Sequence, residues 1–119
     1  MSKKILVVDD DETLNKMLTN YFTSHGYEIF TAIDGDQGLN LVKEKKPDLI
    51  ILDVQMPKMN GYTFVFECRK IQNPFNTPII VLTAKQGMAE IFKVEGVREY
   101  MTKPFSMESL LTNVKKHLS

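Results

Sequence analysis

What the chain lacks narrows it first. Cys68 is the single cysteine among 119 residues, so no internal disulfide can form and no cysteine cluster can hold zinc. Tryptophan is missing, and the six glycines and five prolines are scattered rather than gathered into a linker or low-complexity tract. Neither sign of charge is in excess. Fifteen basic side chains meet fifteen acidic ones, which leaves no net field to draw a nucleic-acid backbone or an acidic membrane surface. The longest apolar runs, such as Leu49 to Leu52, are far too short to cross a bilayer. With no leader-like N-terminal segment, a cytoplasmic location is expected, without membrane attachment or direct nucleic-acid binding.

What is present fits one folded unit. A composition of 43% hydrophobic and 25% charged residues is that of a single globular domain over residues 1–119, able to bury a core without disulfides or structural metal. Ile5 to Val8 is uninterrupted and apolar, as in a strand buried on both faces. Leu14, Met17, Leu18, Tyr21 and Phe22 then fall at helical spacing, with Asp11 as N-cap and Gly26 as a left-handed stop. Tyr27 to Ala32 reads as a second strand. Asp34 and Gln37 form a capping pair for a helix carrying Leu39 and Val42, which ends before Pro47. Leu49 to Leu52 is a third strand, and a helix on Phe64, Val65 and Cys68 follows a loop closed by Asn60 and Gly61. Ile79 to Leu82 makes a fourth strand. Met88, Ile91 and Phe92 mark a short helix, Tyr100 and Met101 a short fifth strand, and Met107, Leu110, Leu111 and Val114 a last helix capped by Ser106. Five strand and helix alternations with apolar strands predict an α/β fold, a parallel sheet with helices on both faces.

Ligands of open parallel sheets bind beyond the carboxyl ends of the strands, and the chemistry-bearing residues stand there. The first strand runs into Asp9, Asp10 and Asp11, the third into Asp53, the fourth into Thr83, and the fifth is followed by Lys103 and Pro104. Clustered carboxylates suit a hard cation such as magnesium, a hydroxyl can bond a phosphoryl oxygen, and an ammonium is a compact counter-charge for phosphate. Each residue alone has a blander reading as a solvated loop or capping group. Their joint occurrence at one edge of one sheet favours a phosphoryl site. Tyr100 by itself is compatible with ordinary core packing. His25 and His117 lie near helix ends, where a partly positive ring is favourable, and neither suggests a metal site.

Four stretches carry a resemblance. Ile5-Leu-Val-Val-Asp-Asp10, Asp48-Leu-Ile-Ile-Leu-Asp-Val-Gln-Met-Pro57, Pro78-Ile-Ile-Val-Leu-Thr-Ala84 and Tyr100-Met-Thr-Lys-Pro-Phe105 together resemble the receiver domain of two-component response regulators, of the chemotaxis-regulator type, over nearly the whole chain. The resemblance implies a doubly wound (βα)5 flavodoxin-like fold with strand order 2-1-3-4-5, an order already known from chemotaxis regulators themselves. It further implies Asp53 as the phosphoacceptor, attacking a phosphohistidine. Magnesium, or manganese in its place, would be held by Asp10 and Asp53, by the Gln55 backbone carbonyl, and by Asp9 through water. Lys103 would neutralise phosphoryl charge, Thr83 and the Ala84 backbone would bond phosphoryl oxygens, and Tyr100 would turn inward when Thr83 shifts. Pro104 is a candidate for a cis peptide bond, which any X-Pro bond makes accessible. The implied partners are a sensor histidine kinase or histidine phosphotransfer protein, and a downstream target or output domain. A monomer or a phosphorylation-dependent dimer is expected, acting on no substrate besides itself.

Asp9-Asp-Asp-Glu-Thr13 also fits the D-x-D-x-T start of haloacid-dehalogenase-type phosphatases, but the further acidic motif such enzymes need is missing: Glu108 is the only acid after Lys103. A phosphorylation-independent interaction module is a third reading, disfavoured by the intact acid, hydroxyl and lysine set. Two departures from the resembled family stand out. Gly96-Val97 replaces the usual Gly-Ala, and the stretch from Thr83 to Lys103 is about two residues short. A short or displaced fourth helix is therefore expected, with residues 85–96 ordering on phosphorylation. Gln55 and Lys85 occupy the positions that influence phosphoryl lifetime in that family.

Overall fold

A computed structural model describes residues 2–53, 61–72, 75–83 and 97–118. Five strands, β1 (Lys4–Val8), β2 (Glu28–Ala32), β3 (Leu49–Asp53), β4 (Ile79–Thr83) and β5 (Val97–Thr102), form one sheet in the order β2-β1-β3-β4-β5. Every pair is parallel. The helices among the described residues are α1 (Glu12–Ser24), α2 (Gly35–Lys45), α3 (Gly61–Ile71) and α4 (Met107–Leu118). This is the doubly wound α/β architecture expected. The expected helix around Met88, Ile91 and Phe92, and the ordering of residues 85–96, lie outside the described residues.

Strand alternation divides the core into two layers. Ile5, Val7, Leu49, Ile51, Ile80 and Leu82 face one way, against Leu18 and Phe22 of α1 and Leu110, Leu111 and Val114 of α4. Leu6, Val8, Ile50, Leu52, Ile79 and Val81 face the other way, against Val42 of α2 and Phe64, Val65 and Cys68 of α3. Each fully buried large side chain contributes roughly 1.5–3 kcal/mol, so both layers anchor the strands whose ends carry the site. Burial, and next the nearby Glu67 charge, push the Cys68 thiol up to about 12, which keeps it protonated and inert.

The helix ends follow their sequence signals. Asp11 Oδ1 accepts from the Leu14 N–H at 3.1 Å, and Asp34 Oδ1 from the Gln37 N–H at 2.9 Å. Gln37 Oε1 reaches back one residue further than a simple capping box, to the Ile33 N–H at 3.3 Å. Ser106 Oγ accepts from the Ser109 N–H at 3.0 Å. Gly26, at φ 91°, turns the chain out of α1 where an L side chain would be strained.

Two expectations are corrected. The fifth strand is six residues long, not a stub at Tyr100 and Met101, because its pairing with β4 begins at Val97 opposite Ile79 and continues past a one-residue bulge. Met17 is not on the buried face of α1: it is 52% exposed, whereas Asn15 is 5% exposed. The buried stripe is Asn15, Leu18 and Phe22.

Candidate functional site

The order of the strands reverses between β1 and β3, the place where open parallel sheets gather ligands. Strand β1 delivers Asp9 and Asp10, and β3 ends on Asp53. One carboxylate oxygen from each of Asp9, Asp10 and Asp53 lies within 4.8 Å of the others. Asp9 and Asp53 are buried, at 2% and 6% exposure, and Asp10 is exposed. Asp11, next in line, is the α1 cap and belongs to the helix rather than to the cluster.

Lys103 crosses from the end of β5 into this cluster. Its Nζ donates to Asp9 Oδ2 at 2.7 Å and stands 3.6 Å from Asp53 Oδ2. The Lys103-Pro104 peptide bond is cis, as the sequence allowed. Partial burial works to lower the Lys103 pKa, but the hydrogen bond to Asp9 and the charges of Asp9 and Asp53 outweigh it, and the net shift is upward. The ammonium is therefore kept charged between the two acids.

Asp9 is held on every side. Its N–H donates to the Ala32 carbonyl at 3.0 Å, its Oδ1 accepts from the Asp11 N–H at 3.0 Å, and its carbonyl accepts from Asn15 Nδ2 at 2.8 Å. No motif marks Asn15 in the sequence. The signal that could have found it is the helical spacing of 15, 18 and 22, which puts a polar residue on a core stripe.

Thr83 closes β4 with its backbone opposite Thr102; its side chain, Gln55, Ala84 and Lys85 fall outside the described residues. Tyr100 is partly buried and packs against the layer that contains Val97 and Val81. His25 Nδ1 meets the Tyr21 carbonyl at 2.8 Å and His117 Nε2 meets Glu99 at 3.2 Å, so both rings have partners outside the cluster of Asp9, Asp10 and Asp53.

The donor set fits a hard divalent cation. It consists of oxygens alone, and three formal carboxylate charges against one ammonium leave the cluster negative. Among the described residues no helix is long and apolar enough to cross a membrane.

Comparison with known proteins agrees with this geometry. The profile of the response regulator receiver domain matches residues 5–115. The response regulator TrrA from Thermotoga maritima, solved in complex with Mg(2+)-BeF, is 35% identical with a TM-score of 0.85, over 98% of this chain and 99% of that one. The Vibrio cholerae chemotaxis protein CheY4 is 34% identical with a TM-score of 0.90, over 99% of this chain and 100% of that one. The receiver domain of the Francisella response regulator 1452 is 32% identical with a TM-score of 0.87, over 98% of this chain and 97% of that one. The chain belongs to the family of response regulator receiver domains.

Proposed function

We propose that the chain takes a phosphoryl group onto Asp53 from the phosphohistidine of a sensor histidine kinase or a histidine phosphotransfer protein, and thereby alters its surface toward a downstream target or output domain. The observation that carries this reading is the meeting of the Asp9, Asp10 and Asp53 carboxylates with the Lys103 ammonium at the switch point of the sheet.

In the transfer, an Asp53 carboxylate oxygen attacks phosphorus, the bond from phosphorus to the imidazole nitrogen breaks, and its electron pair leaves with the imidazole. Water later cleaves the aspartyl phosphate and restores the carboxylate. The chain thus promotes its own modification and its slow loss, and no other turnover. Asp10 and Asp53 would hold magnesium, or manganese, directly, with the Gln55 carbonyl alongside. Both Asp9 carboxylate oxygens are already engaged, by Asp11 and Lys103, which supports a contribution from Asp9 through water. A bound magnesium ion supplies charge screening among the carboxylates and polarises the phosphoryl oxygens. The complex of Mg(2+)-BeF with TrrA supports the same assignment.

Lys103, 3.6 Å from Asp53, is placed to follow charge from the carboxylate to a phosphoryl oxygen. Thr83 and the Ala84 N–H bond other phosphoryl oxygens, and Tyr100 turns inward as Thr83 shifts. The message leaves through β5, α4 and the segment before β5, as a monomer or a phosphorylation-dependent dimer.

Acetyl phosphate and magnesium, with intact-mass and peptide mass spectrometry, test the assignment. The wild type should gain one phosphoryl group at Asp53 and none without the metal. Asp53→Asn, nearly isosteric but a poor nucleophile, should fold and gain none; modification of that variant at any residue sinks the proposal.

A further inference from the structure

Asn15 occupies a place where helix geometry calls for a hydrocarbon. It lies on the buried stripe of α1 with Leu18 and Phe22 and is 5% exposed. Its amide is half satisfied: Nδ2 donates to the Asp9 carbonyl at 2.8 Å, while the buried Oδ1 has no hydrogen-bond partner among the described residues. Burying an unpaired amide acceptor is unfavourable, and a leucine would fill similar space without that penalty. Bulk packing does not account for the choice; the bond to Asp9 does.

That bond acts on the peptide unit joining Asp9 to Asp10. The Asp9 N–H is tied to the Ala32 carbonyl of β2 at 3.0 Å, and Asn15 ties the carbonyl on the other side of the same residue. The plane of the 9–10 peptide sets the direction in which the Asp10 side chain leaves the backbone. Asp10 is exposed, so core packing does not aim it, and among the described residues nothing hydrogen-bonds its carboxylate. Its place within 4.8 Å of Asp9 and Asp53 therefore depends on the backbone beneath it.

We infer that Asn15 is a positioning residue of the metal site: by clamping the Asp9 carbonyl it fixes the 9–10 peptide and presents the Asp10 carboxylate beside Asp53. The inference rests on the metal-assisted reading proposed above. Asn15 touches neither metal nor phosphoryl group and acts only through the backbone of the two acids.

The test is magnesium titration of the unphosphorylated protein, followed by the backbone amide shifts of Asp10 and Asp53, in the wild type, Asn15→Leu and Asn15→Ser. Urea unfolding without metal runs alongside. Both variants should bind magnesium about tenfold more weakly, the low end of what indirect partners of metal ligands contribute, whichever way their metal-free stability moves. Affinities unchanged within about twofold, with altered stability, would show a merely structural asparagine and overturn the inference. Should either variant not fold, the wild type still decides. The Asn15 side-chain amide resonances should shift along the titration with the dissociation constant reported by Asp10, and resonances that stay put overturn the role. A wild type that does not bind magnesium removes the metal-assisted reading itself. Normal wild-type binding with unchanged variants removes only the role of Asn15.

Discussion

At the scale of single residues, Lys103 is the group most sharply poised between two states. It neutralises Asp9 at 2.7 Å and faces Asp53 at 3.6 Å. On the reading proposed above, it would compete with a cation for the same carboxylates and attend the phosphoryl group after transfer. Lys103→Met should therefore leave magnesium binding intact or tighten it several-fold, as measured by NMR titration. It should weaken the surface change produced by a beryllofluoride mimic, as measured by amide shifts across β5. Equal loss of metal binding and switching contradicts that division. A second residue sets an acid-dependent contact on the proposed output face. The Lys116 hydrogen bond, against the opposing effect of burial and with help from His117, holds the Glu99 carboxyl below its usual range. A depressed carboxylate pKa adds stability above its unfolded value, about 4.3 for glutamate, and that stability disappears as pH falls through the folded value. Lys116 is 65% exposed, so the contribution is about 1 kcal/mol or less and is screened by salt. Glu99→Gln should thus lower the urea midpoint slightly at pH 7, and the gap should close as pH falls through the folded value. A gap that persists in acid would place the role of Glu99 in packing.

At the scale of elements, the approach of α2 to the sheet depends on Gly38. A Cβ there would sit 2.9 Å from Phe64 Cε1 and 3.0 Å from a Val8 methyl, and both neighbours are fully buried. In a free helix alanine outranks glycine by about 1 kcal/mol, but overpacking a rigid core costs about 1–3 kcal/mol. Gly38→Ala should lower stability in urea; a rise would mean that Phe64 can give way. The elements themselves are largely readable from the residues. Continuous apolar strands, the caps Asp11, Asp34 and Ser106 and the stop at Gly26 each have a local cause, so the strands and helices anchored by them stand where the residues put them. Local pattern misleads where tertiary packing overrides it. Met17 stands exposed where the apolar pattern put it on the buried face, because the helix turns its 15, 18, 22 stripe to the sheet. The extent of β5 is invisible in the sequence because pairing with β4, not its own propensity, draws Val97 into the ladder. Asp9, Asp10, Asp53 and Lys103 are legible as a group because topology places every parallel strand end at one edge. The tie from Asn15 to Asp9 is not, because nothing in a sequence states which carbonyl a buried amide will find.

At the scale of the whole molecule, each parallel neighbour requires a crossover, and the site is closed by a hydrogen bond between residues 94 apart in sequence, Asp9 and Lys103. The entropic cost of such closure grows only slowly with loop length, but contacts so distant in sequence slow folding. The ammonium arrives on β5, an edge strand whose neighbour in the sheet is β4. A nascent chain that has emerged as far as Thr83 already carries Asp9, Asp10 and Asp53, yet the cation that balances them is still unmade. Under the reading proposed above, phosphoryl acceptance would then report that β5 has docked: a polypeptide ending at residue 96 should fail to accept a phosphoryl group from acetyl phosphate, and should recover acceptance when residues 97–119 are supplied as a separate peptide. On that reading, a molecule whose β5 has not docked would offer a phosphodonor carboxylates without their ammonium, so docking of the edge strand and competence for phosphorylation would rise together.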